Sequence, residues 1–218
     1  MNILDEIQAE IPVNTQIIAV SKHQSLEAIK TLYEKKHLIY GESKVQELLE
    51  KYEQLPKDIQ WHFIGHLQRN KVKYIVPFIS LIHGVDSLRL LKEINKRSKQ
   101  HNKITACLLQ VHIASEDTKF GFSFEELKDL LEQEVLSGLK NIEIRGLMGM
   151  ASNTDDENKI RSEFRSLHDF FIELKEKYFK EKNSFKELSM GMSSDYKIAV
   201  EEGSTMIRIG SLLFGDRV

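Results

Sequence analysis

Eight short apolar runs, each followed by a stretch of helical or partly helical character, limit what this chain can fold into more than any other feature. The first run, Ile17, Ile18, Ala19 and Val20, ends at Ser21 and Lys22 and leads into Leu26, Ile29, Leu32 and Tyr33 at helical spacing. A second run at 38–40 ends at Gly41 and Glu42 and precedes a stripe of Val45, Leu48, Leu49 and Tyr52. The third, 59–64, closes on Gly65, His66, Leu67 and Gln68 before a short charged helix expected at 70–75. Runs at 81–83, 104–111, 142–147, 185–190 and 206–209 repeat the pattern. The longest helix is expected over 157–179, where Ile160, Phe164, Leu167, Phe171, Leu174 and Tyr178 share one apolar face.

Strand-helix units at this spacing pair their strands in parallel through right-handed crossovers, and eight of them can close into a TIM-type (β/α)8 barrel. An open doubly wound sheet satisfies the same periodicity and stands as the alternative on pattern alone. At 218 residues the chain is shorter than the roughly 250 typical of the barrel. Short loops, no large inserted domain and a single domain over 1–218 are therefore expected. A short helix ahead of the first strand, with Ile3, Leu4 and Ile7 on one side and Pro12 beyond it, is assigned to packing alone.

Charge narrows the function classes. Thirty-one Lys and Arg face 33 Asp and Glu, a net −2, without the basic excess of a nucleic-acid binder. The cluster of Arg69, Lys71 and Lys73 reads as a solvated helix face or a small contact patch for partners. Acids at Asp5 and Glu6 and the lack of an apolar stretch of about 18 residues lead to the expectation of a soluble chain with no export leader and no membrane span. Cys107 is the one cysteine, so no disulfide closes within the chain, which fits a reducing, cytoplasmic compartment.

In barrels of this kind ligands sit where strands end and loops begin. Lys22 follows Ile18 and Val20 in period-two alternation, so it points inward one step past the packed layer. An amine there is partly desolvated and able to attack an aldehyde, or else it is an ordinary lysine reaching for water. Arg208 shares a face with Met206 and Gly210, and its guanidinium must meet a ligand atom or an internal carboxylate such as Glu42. Gly191, Ser193, Ser194, Gly210 and Ser211 have the makings of a phosphate cradle, or of plain turn chemistry. His62, His66, His83 and His112 read as hydrogen-bonding groups of the rim. With no HExxH pattern, a metal site is not expected. No GxSxG elbow is present, and Cys107 within an apolar run reads as an inert buried thiol.

Ala19-Val20-Ser21-Lys22, Gly41-Glu42 with Val45-Gln46-Glu47, the run from Trp61 through His62-Phe63-Ile64-Gly65-His66-Leu67-Gln68 to Lys71, Arg145-Gly146-Leu147-Met148, Leu188-Ser189-Met190-Gly191-Met192-Ser193, and Arg208-Ile209-Gly210 with Phe214-Gly215 occur in order and at the right spacing. Over essentially its whole length the chain resembles the pyridoxal phosphate homeostasis protein family, whose fold is similar to the N-terminal barrel of alanine racemase. That resemblance implies a single pyridoxal-phosphate-binding barrel domain over 1–218, with pyridoxal 5′-phosphate held as a Schiff base on Lys22. It implies phosphate binding by Ser193, Gly210 and Ser211 and a pyridine nitrogen facing Arg208. Ser43, Met190 and His112 join the expected cofactor-binding residues. Ser43 and His112 depart from the asparagines usual in the family, which bears on cofactor affinity and orientation.

Alanine racemase sets a tyrosine from a second domain against the cofactor, and this chain ends at Val218, three residues after Gly215. The resemblance therefore implies a role in intracellular vitamin B6 homeostasis and supply, with little or no turnover. Tyr40 or Tyr196 would stand in for the missing base only if geometry allows. Apo pyridoxal-phosphate enzymes are the expected recipients and a monomer the expected state. A small amino-acid racemase or related enzyme is the alternative.

Overall fold

Each apolar run becomes a strand because β-branched and leucine side chains fill two faces at once, as a sheet covered by helices on one side and closed on the other requires. The computed structural model describes residues 3–115, 120–133 and 135–215. Helix α1, Ile3–Glu10, precedes strand β1, Gln16–Val20, and the units continue as α2 (Leu26–Glu34), β2 (Ile39–Glu42), α3 (Val45–Gln54) and β3 (Gln60–Phe63). A 3₁₀ turn at Arg69–Lys71 runs into α4, Val72–Ile75. Then come β4 (Leu81–Val85), α5 (Leu88–Gln100), β5 (Thr105–Gln110) and α6 (Phe124–Glu132), followed by a 3₁₀ turn at Val135–Gly138. The chain continues through β6 (Ile142–Met148), α7 (Glu157–Tyr178), β7 (Glu187–Met192), α8 (Tyr196–Glu201), β8 (Met206–Ile209) and α9 (Ser211–Phe214).

All eight strands pair in parallel in chain order, and β1 pairs with β8 as well as with β2. That closure excludes the open doubly wound sheet and leaves no strand edge exposed. Alternation then sorts the side chains. Ile18, Leu81, Ala106, Leu108, Met148 and Met206 form a small buried cluster inside the barrel. Their neighbours in sequence, among them Ala19, Ile82, Cys107, Leu109, Leu147 and Ile207, belong to the larger core between sheet and helices. Each aliphatic or aromatic side chain buried there contributes about 1.5–3 kcal/mol.

Local signals set the helix starts. Ser25, Ser87 and Asp156 accept backbone N–H groups at the beginnings of α2, α5 and α7, and Ser123 with Glu126 closes a reciprocal cap on α6. The N-terminal helix forms where expected, with Leu4 and Ile7 buried, but Ile3 is exposed because the face that packs is centred on Leu4 and Ile7. Among the described residues, no helix is long and apolar enough to cross a membrane.

One irregularity is built in. On β6 the register against β5 passes from Cys107 opposite Ile144 to Leu108 opposite Gly146, so Arg145 is an extra residue bulged out of the ladder. Gly146 has φ +147°, and a Cβ placed on it would lie 1.7 Å from the main-chain oxygen of Glu187. Only glycine fits there.

Candidate functional site

The carboxyl ends of the strands surround a cavity of about 600 Å³. Lys22 lines it together with Val20, while Ile18 two residues before lies in the interior cluster, so the inward alternation expected for Lys22 holds along β1. Ser43, Ser193, Arg208, Gly210 and Ser211 line the same cavity. Ser193 Oγ accepts the Gly210 N–H at 3.2 Å, which ties the loop after β7 to the end of β8. Ser211 opens the single turn of α9, and the glycine and two serines share one wall.

Arg208 is almost wholly buried yet reaches the cavity. Its Nη1 donates to the Ser189 main-chain oxygen at 2.9 Å and to Ser189 Oγ at 2.6 Å, and Nη2 donates to the Gly149 oxygen at 3.0 Å. Glu42 is not its partner. Tyr40 faces the outer core, and period-two alternation turns Glu42 the same way, so it stands outside the barrel wall and Arg208 inside it. Burial lowers the Arg208 guanidinium to about 10, with Asp195 pulling the other way, so it is cationic at neutral pH.

Behind Arg208 runs a buried chain that the rim assignment of the histidines missed. His83 Nδ1 lies 2.9 Å from Ser189 Oγ, and His83 Nε2 lies 3.0 Å from His62 Nδ1. The Ser189 oxygen accepts from Arg208 and also bonds His83, so it links the guanidinium to the imidazole pair. Desolvation holds His62 at about 3 and His83 well below the usual imidazole range, so both rings are neutral. His66 behaves as the rim group expected: its Nδ1 is 2.8 Å from Asp86 Oδ2 and its ring stacks on Phe120 at 3.9 Å.

Two expected residues do not line the cavity. Met190 is fully buried in the core between sheet and helices. Gly191, at φ +92°, shifts the alternation so that Met192 faces the cavity instead. His112 is half-buried beyond the end of β5, where its N–H bonds the Phe122 oxygen at 2.9 Å. Neither tyrosine is poised as a base there. Tyr40 is buried on the outer side with its hydroxyl on the Ile29 oxygen at 3.2 Å, and Tyr196 bonds Glu10 at 2.8 Å. Among the described residues, no group of three or more His, Cys, Asp or Glu side chains stands together as metal ligands. Met150 and Met192, from the strand-end clusters, also line the cavity, and so do Gln110 and Phe120, which the sequence reading did not single out. Gln110 ends β5 on the same face as Ala106 and Leu108, a signal that strand parity carries.

Residues 2–218 match the family model for the alanine racemase N-terminal domain. The pyridoxal phosphate homeostasis protein of Aquifex aeolicus (strain VF5) is 40% identical over 203 residues, covering 93% of this chain and 87% of its own length. Its counterpart from Synechocystis sp. (strain PCC 6803) is 36% identical over 220 residues, covering 100% of this chain and 98% of its own. Among solved structures, PipY of Synechococcus elongatus PCC7942 with pyridoxal phosphate bound has a TM-score of 0.88 at 34% identity, covering 98% of both chains. Alanine racemase of Clostridium difficile 630 shares the fold, with a TM-score of 0.76 at 17% identity over 98% of this chain and 55% of that one. With a family model matched end to end and relatives this similar over nearly their whole length, the chain belongs to the pyridoxal phosphate homeostasis protein family, built on the barrel of the alanine racemase N-terminal domain.

Proposed function

We propose that this protein binds pyridoxal 5′-phosphate reversibly through the Lys22 amine and holds and supplies it within the cell, with little or no turnover. The observation that carries the reading is the convergence of Lys22, Arg208 and the Ser193, Gly210 and Ser211 wall on one cavity. The donor set suits the ligand: an amine for the aldehyde, a cation for the ring, and hydroxyls with a glycine for the phosphate. A cavity of about 600 Å³ is also of a size that accommodates such a cofactor.

When bound, the cofactor would supply an aldehyde able to condense with an amine and release water, and Lys22 would be the amine that holds it. Arg208, clamped by Ser189 and Gly149 and lowered only to about 10, is too weak an acid to transfer a proton to a ring nitrogen at neutral pH, which would leave the ring a weak electron sink. Both tyrosine hydroxyls considered as bases are engaged elsewhere. These features favour storage and exchange over catalysis. We place the activity in a single barrel domain over 1–218, as a cytoplasmic monomer that passes cofactor to apo-enzymes and contacts neither nucleic acid nor membrane.

Borohydride reduction of the loaded protein followed by peptide mapping tests this. Reduction is expected to modify Lys22, and the violet absorbance of the loaded protein is expected to vanish in Lys22→Ala while the fold persists. A modified peptide elsewhere, or none, overturns the reading.

A further inference from the structure

We propose that Lys51 is a positioning residue for Lys22, acting with Glu42 and Glu47 as a clamp on the main chain to either side of it. Lys51 belongs to α3 and is buried against the outer face of the barrel, on the side of β1 away from the cavity. Its Nζ donates to three oxygens: Ser21 O at 2.6 Å, Glu42 Oε1 at 2.8 Å and Glu47 Oε1 at 2.7 Å. An ammonium has three protons, so the group is saturated.

The partners of these oxygens reveal what is being held. Ser21, directly before Lys22, is gripped twice, by Lys51 at its carbonyl and by Glu42, which accepts its hydroxyl at 2.7 Å. His23, directly after Lys22, donates its main-chain N–H to Glu47 Oε1 at 2.5 Å. His23 adopts φ +63°, a left-handed conformation that costs a residue with a Cβ about 1 kcal/mol. The ladder pairing of β1 with β2 reaches Val20 opposite Gly41, and the Ser21 N–H adds a bond to the Gly41 oxygen. Beyond that point the sheet no longer fixes the chain: the Gln24 N–H closes a turn over Lys22 onto the Ser21 oxygen at 3.0 Å, and the three-residue ionic cluster braces that turn from outside.

Stability alone is a poor account of this cluster. A buried ion pair often contributes no more than apolar residues of the same volume. Here Glu42 Oε2 is buried with no hydrogen-bond partner, and burial pushes the Glu42 carboxyl above the ordinary carboxylate range. What the arrangement secures is the path of residues 21–23, hence where the amine between them emerges. Misplacing a reacting group by about 1 Å can cost two orders of magnitude in reactivity.

The inference rests on the Lys22 reading above, and two variants of opposite charge change test it. Lys51→Met removes a positive charge and all three donors, whereas Glu47→Gln removes a negative charge and weakens the hold on His23. If the cluster acted only through its field on the anionic cofactor, Glu47→Gln would tighten binding. The clamp predicts that both weaken it, about tenfold or more in the dissociation constant from spectral titration with pyridoxal 5′-phosphate. It also predicts a displaced pH midpoint of the loaded protein's visible band and faster amide exchange across residues 21–23 in the cofactor-free protein. Lys73→Met, on an exposed face of α4, serves as the control and should match wild type. Folded variants with wild-type affinity and pH midpoint overturn the clamp even if their melting temperatures fall, since a purely structural cluster would behave that way. Should Lys51→Met fail to fold, Glu47→Gln decides. Absence of borohydride labelling at Lys22 in wild type withdraws the functional reading and the clamp together. Labelled wild type with unaltered variants overturns the clamp alone.

Discussion

Arg208 Nη1 donates to two oxygens of one residue, the carbonyl of Ser189 at 2.9 Å and its Oγ at 2.6 Å, so a side chain from β8 is locked to the main chain of β7. With Nη2 on the Gly149 oxygen, the guanidinium plane is set before any ligand arrives. Three of its five donors are spent on the protein, and the residue still lines the cavity.

Arg208→Gln should therefore shift the visible band and lower affinity for pyridoxal 5′-phosphate more than it lowers melting temperature. Ser189→Ala removes one charge-assisted bond, about 1.5–3 kcal/mol, and leaves His83 Nδ1 without its partner, so it should cost stability as well. An Arg208→Gln protein with wild-type spectrum and affinity would remove the arginine from the ligand's surroundings.

The histidine pair sets a pH dependence whose sign is fixed. Both rings are neutral in the fold, His62 at about 3, while in the unfolded chain they protonate near the ordinary 6.5. Between those values the unfolded state binds more protons, so stability is full above about pH 6.5 and falls as pH drops. For His62 the loss from pH 7 to pH 5 is about 2 kcal/mol, and His83 adds in the same direction. Urea unfolding at the two pH values should show a smaller difference in His62→Gln than in wild type. Carboxylates titrating in that window are common to both proteins and cancel. Equal differences would show that the buried ring does not govern the slope.

Much of this molecule is legible from period and parity. Closure into a barrel follows from eight repeated units, and the inward set of Ile18, Val20 and Lys22 follows from counting in twos. Parity also explains the misses. Glu42 shares a face with Tyr40, so counting in twos already separates it from Arg208. His62 lies one residue from Trp61 and Phe63, both in the outer core, which turns it into the barrel rather than onto its rim. Met190 shares a face with Leu188, so counting in twos already turns it to the outer core; counting fails at Met192, which lines the cavity because Gly191 at φ +92° breaks the pleat between them. The Lys51 cluster is only half visible. Its pairing with Glu47 is an ordinary i, i+4 contact, but the approach to Ser21, 30 residues away, depends on how α3 docks.

Gly146 gives a prediction independent of any ligand. Gly146→Ala must displace the main chain of Glu187 or abandon the bulge, and should cost about 3 kcal/mol or more. Gly138→Ala, where a Cβ meets nothing within 4 Å, should stay within about 0.5 kcal/mol. Chemical denaturation of the two variants makes the comparison. Similar midpoints would mean that the β6 bulge relaxes at little cost.

Ser193 and His112 together mark the border of the ligand site. Ser193 lines the cavity and accepts the Gly210 N–H, leaving its own hydroxyl proton to donate to an anion between the two loops. Ser193→Ala should weaken pyridoxal 5′-phosphate by about 1.5–3 kcal/mol, roughly ten- to 150-fold. His112 lies outside the lining, so His112→Ala should keep affinity within about twofold. Titration with pyridoxal, which lacks the phosphate, separates the causes: the Ser193→Ala penalty should disappear with that ligand. A penalty that persists would assign Ser193 to the shape of the loop rather than to the phosphate, and a large His112 effect would extend the site past the end of β5.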